Sequence, residues 1–223
     1  MSPRDTAAAA TPQTLPGPVG ALEYAIDAPD PEVPARPLVA IVCHPLPTEG
    51  GSMHNKVVTM TARALRELGA TTVRFNFRGT GASEGSFDDG NGEVDDLKAV
   101  AAWTRDRYPD AALCLAGFSF GAYVSLRAAA SLKPAILVSI APPVGRWDGF
   151  DDIPLPTMPW LVVQGESDDV VDPQAVFDWL ARTKAQAELV RMPDTGHFFH
   201  RKLIDLRGAI KNGVRPYLPA AHG

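Results

Sequence analysis

The sequence predicts an α/β fold in which a mostly parallel sheet carries helices on both faces. Three observations lead there. Short β-type runs alternate with helix-period segments along most of the chain. Several of the β-type runs are continuously apolar, as strands covered on both sides are. Residues able to do chemistry fall just after those runs, at the strand ends where such sheets bind ligands.

The elements follow in order. Residues 38–45 (LVAIVCHP) read as a buried strand. Val57, Met60, Ala64, Leu65 and Leu68 recur at helical spacing, and Gly69 is a natural stop. Residues 70–77 (ATTVRFNF) are rich in β-branched and aromatic side chains and read as a second strand. Val94, Leu97, Val100, Ala101 and Trp103 mark a helix. A strand over 111–118 (AALCLAGF) and a small-residue helix over 120–132 come next. Residues 134–142 and 159–166 supply two more strands. Asp172 and Pro173 open a helix as N-cap and first helical residue. A strand over 187–193 and a helix within 199–214 complete the pattern.

Residues 1–18 are rich in Ala, Pro and Thr and short of large apolar side chains, so a disordered arm is expected there. No linker-like stretch and no internal repeat divides the rest, and residues 19–223 are read as one domain.

Composition excludes several function classes. The 223 residues are 45% hydrophobic and 21% charged, ordinary for a globular chain. A net charge of -5 argues against a nucleic-acid partner, which needs a basic face. No Lys/Arg run accompanies an amphipathic stretch, and no apolar run is long enough to span a bilayer. The N-terminal residues lack the apolar core of a signal peptide, so a cytoplasmic location is the expectation. Cys43 and Cys114 lie in apolar runs and are expected to be buried free thiols, with a disulfide left open because bridging depends on a distance that sequence does not give.

The strongest local signal is Gly117-Phe118-Ser119-Phe120-Gly121, between an expected strand and an expected helix. A serine in such a turn holds a strained backbone with its hydroxyl clear of the sheet edge. The same position also suits a helix-capping serine. Serine needs a base to become a nucleophile. His197, in Pro193-Asp194-Thr195-Gly196-His197 past the last strand, is the candidate. His200 is its rival, and His222 falls in the terminal tail. No third ligand stands near His197 and His200 in a metal-binding spacing, so no metal and no cofactor are expected. The acid that orients the histidine is sought in Gly165-Glu166-Ser167-Asp168-Asp169-Val170-Val171-Asp172. Asp168 is preferred, Asp169 stays open, and Asp172 is accounted for as a helix cap. An oxyanion needs N–H donors. The backbone N–H of Phe120 is one. In His44-Pro45-Leu46-Pro47 the prolines have no N–H, which leaves Leu46 as the other.

At this point the chain resembles the small, nearly lidless bacterial serine α/β-hydrolases, near the dienelactone-hydrolase and prolyl-oligopeptidase-like hydrolases. The stretches that carry the resemblance are HPLPTEGGSMHNKVV (44–58), FNFRGTGASEG (75–85), GFSFGAYVS (117–125), GESDDVV (165–171) and DTGHFFH (194–200). The chain order Ser, Asp, His is that of the α/β-hydrolases. The resemblance implies the α/β-hydrolase fold, with Ser119 as nucleophile, Asp168 as acid and His197 as base. Dienelactone hydrolases use a cysteine nucleophile, so Ser119 speaks against that activity. Many relatives carry a helical cap before the strand bearing the acid. Here Ile140 and Trp160 are separated by too few residues for one, which implies an open, shallow site with a minimal cap. Trp147, Phe150, Phe198 and Phe199 are candidates for its rim.

These readings imply a serine hydrolase that cleaves small-molecule carboxylic esters, with short acyl groups, through an acyl-enzyme. Peptide or amide hydrolysis and acyl transfer would use the same residues, and a catalytically quiet binding protein is a further alternative. Gly79-Thr80-Gly81 follows a strand as a dinucleotide loop would. Glu84 stands where the third glycine is needed, and no helix starts there, so a structural turn is expected.

Overall fold

The computed structural model describes residues 12–147 and 149–221. Among these residues, eight strands form one sheet: β1 (Gln13–Gly17), β2 (Gly20–Asp27), β3 (Leu38–Cys43), β4 (Thr71–Phe75), β5 (Ala112–Phe118), β6 (Ile136–Ile140), β7 (Trp160–Gly165) and β8 (Glu188–Met192). Their spatial order is β1-β2-β4-β3-β5-β6-β7-β8. β1 and β2 run antiparallel to their neighbours, and the other six strands are parallel. Every residue of β3, β6 and β7 is buried, as expected for strands covered on both faces. The edge strand β8 is protected differently, with Glu188 and Arg191 exposed.

Among the described residues, five α-helices cover the sheet: α1 (Lys56–Arg66), α2 (Asn91–Arg107), α3 (Phe120–Leu132), α4 (Pro173–Thr183) and α5 (Leu203–Val214). α1 and α5 share one core, which includes Leu65, Phe118 and Ile210. α2, α3 and α4 share the other, which includes Leu97, Phe120 and Trp179. α4 starts as its sequence implies, with Pro173 in the first turn and Asp172 Oδ1 accepting from Gln174 N at 2.9 Å. α1 stops at Arg66, and Gly69 turns the chain with φ +91. A side chain at Gly69 would strike the carbonyl of Pro34. Among the described residues, no helix is long and apolar enough to cross a membrane.

The N-terminal expectation needs correcting. Residues 1–11 lie outside the described residues, but Gln13–Gly17 of the expected arm form β1. Order there comes from backbone pairing with β2 and from one anchor. Leu15 is 2% exposed and pairs with the fully buried Leu22. Pro16 is tolerated because β1 is an edge strand. A composition argument misses this, since a single leucine is enough once a ladder holds the backbone. β2 also has no counterpart in the sequence reading.

Cys43 and Cys114 are buried free thiols, and burial pushes both up, Cys114 to about 12. Gly79-Thr80-Gly81 is a turn, with Thr80 N donating to Phe77 O at 3.1 Å and Gly79 N to Glu84 O at 3.1 Å.

Leu15→Ala tests the hairpin anchor. It is expected to cost about 2–3 kcal/mol in urea unfolding, the lower part of the range for buried leucine truncation, because the site is near an edge. A change near zero would mean the hairpin is held by its backbone alone.

Candidate active site

The turn after β5 is shaped by its glycines. A Cβ at Gly117 would collide with the carbonyl of Gly121, and a Cβ at Gly121 with the carbonyl of Cys43 at the end of β3. The α3 N-terminus therefore lies directly against β3. Between these glycines, Ser119 takes φ 53 and ψ -117, a region that costs a non-glycine residue on the order of 1–3 kcal/mol. Three hydrogen bonds hold it there. Ser119 N donates to Ile140 O at 2.8 Å, and Ser119 O accepts from Ala122 N at 2.8 Å and Tyr123 N at 3.1 Å. The hydroxyl stands at the α3 N-terminus, whose dipole favours negative charge.

His197 comes to that hydroxyl on residues 193–200, past β8. It is 3% exposed, and its Nε2 lies 3.1 Å from Ser119 Oγ. Its Nδ1 lies 2.8 Å from Asp168 Oδ2. Asp168 as carboxylate only accepts, so Nδ1 carries the proton and Nε2 is left to accept from the serine. The two loops are stitched together by Ser167 N donating to Thr195 O at 3.0 Å. A side chain at Gly165 would strike that same Thr195 carbonyl. Phe118 lies beside the imidazole at 5.0 Å between centroids, and Phe198 meets it edge-on at 5.0 Å.

The structure separates Asp168 from Asp169. Asp168 is 8% exposed, whereas Asp169 is exposed. Oδ1 of Asp168 accepts from Val170 N at 2.9 Å and Val171 N at 2.8 Å, and Oδ2 accepts from Gln164 Nε2 at 3.1 Å. Burial works to raise this carboxyl, but the bonds from His197, Val171 and Val170 prevail and hold it below the usual carboxylate range. His200 is exposed, with its ring 6.3 Å from that of Phe198, and it is His197 that meets the Ser119 hydroxyl. His222 lies outside the described residues.

Leu46 follows β3, and Phe120 is the first residue of α3. Among the described residues, no backbone carbonyl accepts from either N–H. Leu46, Ser119 and His197 line one cleft of about 390 Å3, with Trp147, Phe198 and Arg146 at its sides. Of the four candidate rim aromatics, Trp147 and Phe198 line the cleft. Phe150 and Phe199 are buried in the two cores instead. Between β6 and β7 the described residues hold only a short 3₁₀ turn, Phe150–Asp152, so nothing caps the site.

The sequence reading assigned no role to His44, which shapes the loop carrying Leu46. It is fully buried, its Nδ1 donates to Pro45 O at 2.6 Å, and Phe77 N donates to its Nε2 at 3.0 Å. Burial pushes this imidazole down to about 4, so it stays neutral with both nitrogens used. Asn76 braces the same loop, with Oδ1 accepting from Met53 N at 2.8 Å. A histidine directly after a buried strand and before proline was the available signal.

Comparison with known proteins places this geometry in a family. The family model for X-Pro dipeptidyl-peptidase (S15 family) matches residues 41–157, just over half of the chain. The chain belongs to this S15 family of α/β serine hydrolases. The S15-family chain is also 66% identical to a lid-less α/β serine hydrolase of Xanthomonas campestris. The match covers 95% of this chain and 96% of that one, with a TM-score of 0.91. An α/β serine hydrolase homologue from Coxiella burnetii is 44% identical over 92% of this chain and 97% of its own, with a TM-score of 0.88. An uncharacterized protein of Rickettsia prowazekii is 34% identical over 209 residues, covering 88% of this chain and 85% of that protein. The lid-less description of the Xanthomonas hydrolase agrees with the uncapped site here.

Two outcomes follow from the geometry of this S15-family site. Gly121→Ala is expected to destabilise the fold by about 1–3 kcal/mol in calorimetry, since the added methyl meets backbone that cannot step aside. The depressed Asp168 carboxyl contributes stability that is present above its unfolded value and lost as pH falls through its folded one. The stability gap between wild type and Asp168→Asn, read from urea midpoints, is therefore expected to persist down to about pH 4 and to close below it.

Proposed function

We propose that this protein is a serine hydrolase that cleaves small-molecule carboxylic esters through an acyl-enzyme. The single observation that carries the reading is the chain of contacts from Ser119 Oγ to His197 Nε2 at 3.1 Å and from His197 Nδ1 to Asp168 at 2.8 Å. In this reading His197 Nε2 takes the Ser119 proton as Oγ attacks the ester carbonyl carbon. The carbonyl oxygen becomes an oxyanion, held by the N–H groups of Phe120 and Leu46 and by the α3 dipole. The tetrahedral adduct collapses, the C–O bond to the alcohol breaks, and imidazolium returns the proton to the departing oxygen. Water then attacks the acyl-enzyme with His197 again as base, and the acid leaves with Ser119 restored.

Asp168 keeps its charge throughout. Its role is to hold the Nδ1–H tautomer and to offset the imidazolium charge. The open cleft of about 390 Å3, with Leu46, Pro45, Pro143 and Val170 among its walls, supports a short acyl group.

A second reading, amide or peptide hydrolysis on the same residues, is favoured by the S15 family match over residues 41–157. A panel that pairs acetyl esters with dipeptidyl amides of proline distinguishes the two by relative kcat/KM.

Fluorophosphonate treatment followed by mass spectrometry is expected to label Ser119. Ser119→Ala is expected to lower p-nitrophenyl acetate turnover by about 10⁴-fold or more, and Asp168→Asn by about 10⁴-fold. An unlabelled Ser119 with full turnover in Ser119→Ala would sink the reading and point to another nucleophile.

A further inference from the structure

A second cavity, of about 620 Å3, lies beside the cleft and shares Arg146 and Trp147 with it as a common wall. The ester chemistry described above makes no use of it. Its inner side carries the half-buried Trp147, which is stacked on the buried Tyr123 at 5.4 Å with an interplanar angle of 27°. Its rim carries hydrogen-bond donors and acceptors together: Arg127 and Arg146 on one hand, Asp89 and Asp152 on the other.

The donors are held in place. Arg127 lies over the Tyr123 ring at 5.3 Å and donates from Nη2 to Asn91 Oδ1 at 3.0 Å. Arg146 donates from Nη1 to Val170 O at 3.0 Å. Among the described residues, none of these four charged side chains forms an ion pair. Each therefore has hydrogen-bonding capacity to offer a ligand.

Charge balance selects the ligand class. Among the described lining residues, an anion would meet two carboxylates and a cation two guanidinium groups. An alkyl chain would strip water from all four and return no hydrogen bonds. A polyol satisfies each of them. Its hydroxyls donate to carboxylates and accept from guanidinium groups, while the C–H face of a sugar ring covers an aromatic surface. We propose that this cavity is the subsite for a hydroxylated, sugar-like alcohol portion of the ester, seated across Trp147 from Ser119. The cleft beside Ser119 then takes the acyl group. The proposal rests on the ester-hydrolase reading and names its leaving group.

The test compares wild type, Arg127→Met and Asp152→Asn on p-nitrophenyl acetate and on a monoacetylated methyl xylopyranoside. Both replaced side chains line the second cavity and not the cleft. For the sugar ester, KM is expected to rise about tenfold in each variant with kcat held, the loss of one charged hydrogen bond, and to rise far less for the small ester. Equal losses on the two esters, or none on the sugar ester, would overturn the subsite. So would cleavage of p-nitrophenyl acetate by wild type without cleavage of the sugar ester.

A binding measurement separates this proposal from the reading beneath it. Methyl xylopyranoside is expected to show saturation-transfer NMR contact with Ser119→Ala, and to lose it when Asp152→Asn is added. Absence of contact with Ser119→Ala overturns the subsite whatever the turnover. Failure of wild type on both esters, with that contact present, removes the ester reading and leaves the sugar site standing.

Discussion

The close approach of the α3 N-terminus to the end of β3 constrains the rest of the site. At Gly121 only a hydrogen fits against the carbonyls of Cys43 and His44. That contact leaves the chain no room to leave β5 gradually, so it turns at one residue, and Ser119 takes a backbone conformation other residues avoid. The strain persists because bonds on both sides of Ser119 over-determine it, to Ile140 on the neighbouring strand and to Ala122 and Tyr123 in its own helix. The same contact sets the start of α3 and the end of β3 side by side. Phe120 is the first residue of α3, and Leu46 follows the end of β3 by three residues, so both N–H groups lie beside this contact. One backbone collision thus governs where the hydroxyl stands and where an oxyanion could be held.

Two buried imidazoles near this contact have opposite fates. His197 has its Nδ1 committed to Asp168 and its Nε2 facing a group whose proton can move. His44 has both nitrogens committed to backbone, to Pro45 O and Phe77 N–H. With its pKa at about 4, His44 changes nothing near neutrality and serves as a neutral clamp between the Leu46 loop and the end of β4. The difference lies in the partner. A carboxylate can offset imidazolium charge, and a carbonyl paired with an N–H donor cannot.

The parallel part of the fold and the three polar residues were legible in the sequence because each leaves a local signature. Apolar runs mark β3, β5, β6 and β7, and the glycines around Ser119 mark a turn that only glycine permits. The antiparallel β1–β2 pair was not legible. Its single deeply buried contact, Leu15 with Leu22, has no periodicity to read, and its order comes from a ladder formed with a distant strand. Asp168 could be preferred over Asp169 but not separated from it. The distinction rests on the Val170 and Val171 N–H groups folding back onto one carboxylate, a feature of loop geometry rather than spacing. His44 failed for a related reason, since its partner Phe77 is 33 residues away.

The uncapped segment between β6 and β7 carries a consequence for how such a site must work. Phe150 and Ile153 of that segment are buried in the core, Phe150 against Trp179 at 5.1 Å. The cleft is open, and among the described residues no lid lies over it. If the site works as proposed, stabilisation of a developing charge would fall to groups fixed before substrate arrives rather than to desolvation by closure. On the proposed reading, those groups are the backbone N–H of Phe120 and Leu46, a helix terminus and a carboxylate locked by three protein donors besides His197. The rigidity of the turn at Ser119, the neutral clamp at His44 and the buried bonds to Asp168 therefore belong together: each removes a motion that an open site has no other means to suppress.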